Sequence, residues 1–411
     1  MARPHLDVWG STGKVKCMKS LHPHSEPIAF ARVHLNRRAF LKGLLALAGG
    51  ALASCIRPNQ EVPLLPTPTA WTPEAKNPTA SPIASPSPYP TGTPTPTATL
   101  PPTETPSPTP TEMPWVYPNK PSKLGLHTVS PNGAFPFVRG VTEAGGRIRL
   151  MKALGNFGVL REVKSVSPAT VTIGRWPYVE AVDIWGEPAH AAERVMQQHM
   201  QAWQHERDVV DYWEVLNEVN PGSTEGHVWL ARFYWAAMDI AEAQGYRLAL
   251  FSYSAGVPEW ADWSAIVETG IFARAAQGGH ILALHEYDWP FLRLNWGGSL
   301  PGQPAYDPER GILAGRYRHL YRDFLIPRGE AIPLAITECG LDPGITGATP
   351  SLTWQRQWLN ELAWYDSKLV EDDYVIGAAI FTLGGGADFY YYDYEALLPD
   401  LREYILQLKD L

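Results

Sequence analysis

Cysteine is scarce in this chain, and its three cysteines are far apart. Cys17, Cys55 and Cys339 form no CxxC motif and no cluster with histidine. A zinc site requires closely spaced cysteine and histidine ligands, and a disulfide framework requires paired cysteines. The sequence therefore predicts no metal site, no disulfide framework and no cofactor.

Clusters of basic residues are also missing. The chain has 34 Lys and Arg against 42 Asp and Glu, a net charge of -8 and an isoelectric point near 5.9. Proteins that bind nucleic acid carry basic patches that neutralise its phosphates. Nucleic acid is therefore not an expected partner.

The apolar run near the N-terminus is short. It covers residues 43–53, too few to cross a hydrocarbon layer of about 30 Å as a helix. Arg37 and Arg38 stand just before it and are followed by Ala-Phe-Leu-Lys. The segment resembles the bacterial twin-arginine export signal, with Asn36 in place of the usual Ser or Thr. We expect export by that route; the alternative is a basic patch beside a short core helix.

The apolar run ends in Leu52-Ala53-Ser54-Cys55. This tetrad resembles the lipobox of bacterial lipoproteins, which implies that Cys55 is lipidated and anchors the exported protein to a membrane. Residues 1–55 are then an N-terminal extension with its signal peptide. An ordinary buried or free thiol is the alternative for Cys55.

Many of the 39 prolines stand in one stretch rich in Pro, Thr and Ser, residues 56–118. Such a composition cannot bury a core, so we expect a disordered, extended linker. In a polyproline-like conformation, at about 3.1 Å per residue, it would hold a domain more than about 100 Å from a surface. Residues 119–411 remain as one domain, long enough for a single large core.

That domain alternates short apolar runs with longer amphipathic segments, which is typical of βα units and a parallel sheet. Eight strands, each followed by a helix, predict a (β/α)8 TIM barrel, with an open doubly wound sheet as the rival fold. The first helix is expected between residues 137 and 154. The predicted strands are residues 123–128, 157–164, 170–176, 212–217, 248–253, 281–287, 334–337 and 375–383.

Polar residues close several of these predicted strands. The fourth ends in Asn217-Glu218, the sixth in His285-Glu286-Tyr287, and the seventh in Thr337-Glu338. In a barrel of this kind the loops after the strands form the shared pocket, so catalytic groups belong there. The sequence therefore places two carboxylates, Glu218 and Glu338, at one face of the barrel.

These motifs resemble those of the clan A glycoside hydrolases, most closely glycoside hydrolase family 5, over about residues 123–411. By that resemblance Glu218 is the general acid and base, and Glu338 is the nucleophile. It further implies that Asn217 binds the 2-hydroxyl of the sugar, that Tyr287 hydrogen-bonds the nucleophile and that His285 contacts sugar. Family members often carry a tryptophan at the end of strand eight, where this sequence reads Ala-Ile-Phe-Thr-Leu-Gly-Gly-Gly over residues 379–386.

The chemistry implied by this resemblance requires two carboxylates in different environments. One stays ionised to attack the anomeric carbon, and the other stays protonated for the departing oxygen. We expect retention of configuration, which calls for carboxyl groups about 5 to 5.5 Å apart rather than about 6.5 to 9.5 Å. Arg161, late in the predicted second strand, is the expected cation beside Glu338.

Neighbouring acidic residues are expected to be structural. Alternation along strand six points His285 and Tyr287 to one side and Glu286 toward the helices. Glu214 is expected to pair with a neighbouring helix. Asn217 and Glu218 cannot both point inward from a regular strand, so we expect a bulge or the end of the strand there.

For the other residues near the expected pocket, a structural role and a role in sugar binding both stay open. His127 either lines the sugar site or is a structural histidine of the barrel. Trp176, Trp289 and Trp296 offer either stacking faces for a sugar ring or ordinary loop packing, and at least one is expected to be a platform. Cys339 is expected to be a packing residue.

The expected function is hydrolysis of a β-linked polysaccharide or oligosaccharide by a monomeric, surface-anchored enzyme. A tethered carbohydrate-binding protein without turnover is the alternative from another class. A transglycosylase would use the same residues. A metal-dependent hydrolase would need an HxH pair after the first strand, and the sequence has none there.

Overall fold

The computed structural model describes residues 118–131, 133–177, 186–342 and 352–410, and for residues 352–356 it describes the backbone alone. The predicted export signal, Cys55 and the linker before residue 118 lie outside this part of the chain. No helix in the described part is long and apolar enough to cross a membrane.

Eight parallel strands form a closed barrel in chain order, and β8 pairs with β1. The predicted (β/α)8 barrel is confirmed. The strands are β1 (Leu124–Thr128), β2 (Leu150–Leu154), β3 (Val171–Arg175), β4 (Tyr212–Glu214), β5 (Leu248–Tyr253), β6 (Ile281–Asp288), β7 (Leu334–Leu341) and β8 (Val375–Leu383).

Helices follow the strands on the outside of the barrel. They are α1 (Ala134–Glu143), α2 (Gly158–Val166), α3 (Pro188–Trp203), α4 (Thr224–Ala243), α5 (Trp260–Glu268), α6 (Ile271–Gly278), α7 (Tyr317–Leu320, continued by the π-helical turn Tyr321–Leu325 and by Ile326–Arg328), α8 (Leu352–Leu369) and α9 (Leu398–Gln407).

Two cores result from the alternation of side chains along the strands. The larger core lies between the strands and the helices. The smaller one fills the interior of the barrel and is rich in alanine, which suits the narrow space inside eight strands. Its buried members are Leu150, Ile173, Ala249, Ile281, Ala283, Ala335 and Ala379.

The prediction of the second strand was wrong. Residues 158–164 belong to α2, and Phe157 is its N-cap, because Val159, Leu160 and Val163 recur at helical spacing and are buried. The true second strand is Leu150–Leu154, at the end of the span, residues 137–154, in which the first helix was expected. The lysine inside it, Lys152, has no exposed surface.

Other element boundaries differ less. The strand before Glu218 ends at Glu214, and β7 runs on to Leu341. The single helix expected after β5 is two helices, because Gly270 adopts a left-handed conformation between them with φ of 74°.

Candidate active site

The carboxyl ends of the strands bring the two predicted glutamates together. Glu338 lies within β7 with its side chain 5% exposed, and the Glu218 side chain is 22% exposed beyond the end of β4. Glu218 has φ of 51° and its backbone N–H donates to the carbonyl of Ser252 at 2.9 Å. The strand was expected to end at Asn217 and Glu218, but it ends three residues earlier, at Glu214. One carboxylate is therefore deep and the other lies at the rim.

Glu338 is surrounded by donors on both of its oxygens. Nζ of Lys152 lies 3.1 Å and a guanidinium nitrogen of Arg175 3.4 Å from Oε1. The hydroxyl of Tyr287 donates to Oε2 at 2.9 Å, the contact that the family resemblance implied. Burial by itself raises the pKa of Glu338, but nearby His285, Lys152 and Arg175 outweigh it and hold that pKa well below its usual range.

Arg161 is not the cation beside Glu338. It lies on α2, half exposed, and pairs with Asp208 at 2.5 Å and with Glu206 at 3.1 Å. The error follows from the misplaced second strand, since a residue on an outer helix cannot reach the interior of the barrel. Lys152 and Arg175 take the role expected of Arg161.

His285 lies between the two glutamates. Its Nδ1 is 3.0 Å from Oε1 of Glu218 and 3.6 Å from Oε2 of Glu338. One ligand atom from each of these three residues lies within 4.8 Å of the others. At least one carboxylate oxygen of Glu218 therefore lies within 4.8 Å of one of Glu338.

Three potential metal ligands lie close together here. Among the described residues, Glu218, His285 and Glu338 are the group whose atoms could hold an ion. Lys152 and Arg175 already contact Glu338 from the other side. A divalent cation would meet the repulsion of both charges at short range. We assign no metal to the site.

Glu214 was expected to pair with a helix, and that expectation was wrong. Its side chain points into the barrel, fully buried, with Oε2 2.6 Å from Nζ of Lys152. Burial raises its pKa, and Lys152, His285 and Arg175 together lower the pKa below the usual value. A third carboxylate therefore lies behind the two predicted ones.

His127 lies on the floor of the site, fully buried. Its Nδ1 is 2.7 Å from the hydroxyl of Thr382, and its Nε2 is 3.9 Å from Oε1 of Glu338. Burial holds the pKa of His127 well below its usual value, so the ring is neutral. Phe381 packs against it with ring centroids 4.7 Å apart.

Glu286 faces the helices, as predicted. It accepts hydrogen bonds from the hydroxyl of Tyr365 and the backbone N–H of Gly315, both at 2.6 Å. Burial raises its pKa to about 6. Cys339 is fully buried, and burial raises the pKa of its thiol well above the usual value. Neither side chain reaches the glutamate pair.

The residues that were predicted to contact sugar differ in burial. Asn217 is exposed at the rim beside Glu218. Trp289 is half-buried in the loop after β6. Trp296 is half-buried and packs edge-on against Trp364, with ring centroids 5.2 Å apart. Trp176 is half-buried and packs at 6.3 Å from Phe157.

Sequence reasoning missed Lys152, Arg175 and the role of Glu214. Arg175 closes a strand that was correctly predicted, so the rule that selected Glu338 would have found it. Lys152 was hidden because its strand lies inside residues 137–154, the span in which the first helix was expected. A lone lysine in such a run indicates a buried ionic contact only after the strand has been assigned.

No protein-family model matches the sequence, and no curated protein matches it. Solved structures with a similar fold include the virulence factor SghA of Agrobacterium tumefaciens, solved with its substrate analog salicin, at 12% identity over 71% of this chain and 96% of that chain, with a TM-score of 0.37.

Two further structures are similar. XacCel5A matches at 11% identity over 70% of this chain and 99% of that chain, with a TM-score of 0.40. TsXylA, an intracellular xylanase from Thermoanaerobacterium saccharolyticum, matches at 12% identity over 64% of this chain and 88% of that chain, with a TM-score of 0.38. At such low identities and TM-scores these likenesses carry no conclusion about the reaction.

Proposed function

We propose that the protein is a retaining glycoside hydrolase that cleaves a β-linked glycan outside the cell. Glu338 is the nucleophile and Glu218 is the general acid and base. The observation that carries the proposal is the pairing of two close carboxylates in contrasting environments, one buried beside two cations and one at the open rim.

Glu338 suits the nucleophile because its surroundings keep it ionised. Lys152 and Arg175 hold Oε1, while Oε2 has the neutral hydroxyl of Tyr287 and lies on the side of His285 and Glu218. An oxygen bound by one neutral donor keeps more electron density than one bound by two cations. Oε2 is therefore the better placed to attack.

Glu218 suits the acid because it stands across from the nucleophile at the rim. In the first step Glu338 forms a bond to the anomeric carbon, the glycosidic bond breaks, and its electron pair goes to the leaving oxygen, which takes the proton of Glu218. The negative charge of Glu338 is then consumed, so the Glu218 carboxylate no longer faces a second negative charge. Glu218 can next take a proton from the water that releases the sugar and restores Glu338.

Substrate contacts are proposed for the rim and the floor. Asn217 beside Glu218 binds the 2-hydroxyl, His285 contacts the sugar, His127 and Phe381 line the floor, and Trp289 offers an aromatic face. We also propose that the protein is exported by the twin-arginine route and anchored by a lipid on Cys55. Residues 56–118 then act as a spacer, and the enzyme is a monomer. A polymer at the cell surface is the substrate that such a tether suits.

The test is release of reducing sugar from β-glucan, mannan, xylan and galactan by the purified protein. Glu338→Gln and Glu218→Gln keep the size of each side chain and remove its charge. Glu193→Gln, on the exposed face of α3, is the matched control. We expect the wild type and the control to release sugar from at least one polymer, and the two site variants to lose at least about 1000-fold in kcat.

Wild-type protein that binds one of these polymers without releasing sugar, together with equal binding by both site variants, would replace the hydrolase by a tethered binding protein. Products longer than the substrate would instead identify a transglycosylase.

A further inference from the structure

Lys152 is an unusual residue for the inside of a barrel. It belongs to β2, its side chain has no exposed surface, and Nζ lies 2.6 Å from Glu214 and 3.1 Å from Glu338. Burying an ammonium group costs several kcal/mol unless opposite charges and hydrogen bonds compensate. An apolar residue would fill the space at lower cost, so a role in the site accounts for the lysine better than core packing does.

The two partners of Lys152 differ in position. Glu214 is on β4, and its side chain has no exposed surface. Glu338 borders the pocket and shares His285 with Glu218. The ammonium group therefore connects a carboxylate that substrate does not reach to the proposed nucleophile.

Lys152 acts on one oxygen of Glu338. Oε1 has Lys152, Arg175 and, at 3.9 Å, Nε2 of His127. Oε2 has Tyr287 and His285. A carboxylate held in this way cannot rotate without losing its shortest cationic contact, so its orientation toward the pocket is fixed before substrate binds.

We propose that Lys152, anchored by Glu214, is a positioning residue of the reaction that keeps Glu338 ionised and fixes its orientation through Oε1. The inference rests on the proposed function, since it assigns a role to these two residues only if Glu338 is the nucleophile. Glu214 holds the ammonium group in place and balances its charge, so that one of its contacts remains directed at Glu338.

Several charged or titratable groups besides Lys152 face Glu338, and they remain when Lys152 is removed. They come from β1, β3, the segment after β4, and β6, and are His127, Arg175, Glu218, His285 and Tyr287. Removal of the Lys152 charge leaves the burial of Glu338 opposed by fewer positive groups. The pKa of Glu338 then rises, and the nucleophile loses its charge at a higher pH.

The experiment uses the double variant Lys152→Met/Glu214→Gln. Lys152→Met alone leaves Glu214 buried without its cation and is expected to unfold easily. The double variant removes both charges with little change of volume. Its matched control is Lys164→Met/Asp211→Asn, which removes an ion pair of the same 2.6 Å length on the outside of the barrel.

The readout is kcat/KM against pH, because its acid limb reports the free enzyme's nucleophile. For the double variant we expect the acid limb to move up by about one pH unit and kcat to fall about 100-fold, with KM within about threefold of wild type. The control should keep the wild-type acid limb. A folded double variant with the wild-type acid limb and kcat would overturn the inference.

Failure of the inference can be told from failure of the proposed function. If the wild type is active and Glu338→Gln is inactive while the double variant has a normal profile, only the role of Lys152 is wrong. If the wild type releases no sugar from any polymer of the panel, the proposed function is wrong and the inference falls with it.

Discussion

The hydroxyl of Tyr287 donates a hydrogen bond to Oε2 of Glu338 at 2.9 Å. The two residues lie on neighbouring strands, β6 and β7, whose pairing shifts register between Leu284 and His285. That shift aligns His285, rather than Glu286, with Glu338. The contact is therefore set by strand pairing and does not depend on a mobile loop.

Tyr287→Phe is expected to lower kcat about 10- to 100-fold, since a hydrogen bond to a charged group is worth about 1.5 to 3 kcal/mol. The measurement is steady-state kinetics on the polymer or aryl glycoside that the panel identifies. Tyr321→Phe is the control, because its buried hydroxyl donates to the carbonyl of Ile332 at 2.7 Å, away from the site. Equal kcat for Tyr287→Phe and wild type would show that Oε2 does not need this donor.

Two arginines give a direct test of the corrected site. Arg175→Met is expected to lower kcat by about 10-fold or more, because it removes a cation 3.4 Å from the proposed nucleophile. Arg161→Met is expected to leave kcat within about twofold, because Arg161 is half exposed and pairs with acidic groups away from the site. A reversed order of the two effects would contradict the assignment.

Cys339 directly follows Glu338, yet it is buried and its thiol has a raised pKa. We expect Cys339→Ala to keep kcat within about twofold and to lose about 1 kcal/mol of stability from the small cavity that it leaves. Iodoacetamide should modify Cys339 only after unfolding, which peptide mass analysis can show. Inactivation of the native enzyme through modification of Cys339 would contradict this account.

His199 lies on α3, buried against Trp203 with ring centroids 5.4 Å apart. Burial lowers its pKa to about 4, against a hydrogen bond to the backbone of Val215 that acts in the opposite direction. The unfolded chain binds a proton near pH 6.5 and the folded chain does not until about pH 4. The stability due to this group is therefore present at pH 7 and is lost as pH falls from about 6.5 to 4.

His199→Phe should weaken that pH dependence. Between pH 6.5 and 4 we expect its free energy of unfolding to fall by about 3 kcal/mol less than that of the wild type. Denaturant titrations at several pH values measure this difference. Glu286 and Asp366, whose pKa values burial raises to about 6, contribute with the opposite sign in both proteins and cancel in the comparison. Equal slopes would show that His199 does not remain neutral.

The rule that catalytic groups lie at strand ends located Glu218, Glu338, His285 and Tyr287. It worked because polar residues that close an apolar run can be recognised in the sequence. It failed at β2 because Lys152 interrupts the short apolar run of that strand, whereas β1 and β3, also five residues long, were located. Arg161 was misassigned for the same reason. The ion pair of Lys152 with Glu214 joins residues of β2 and β4, and it depends on two strands that neighbour β3 on opposite sides.

The central claim is double displacement by Glu338 with Glu218 as acid and base. Proton NMR of the first sugar released from a β-linked substrate, recorded before the anomers equilibrate, tests it most directly. The account predicts that the β-anomer appears first, because two inversions restore the configuration. Initial appearance of the α-anomer would contradict it, since a single displacement by water leaves no covalent role for Glu338.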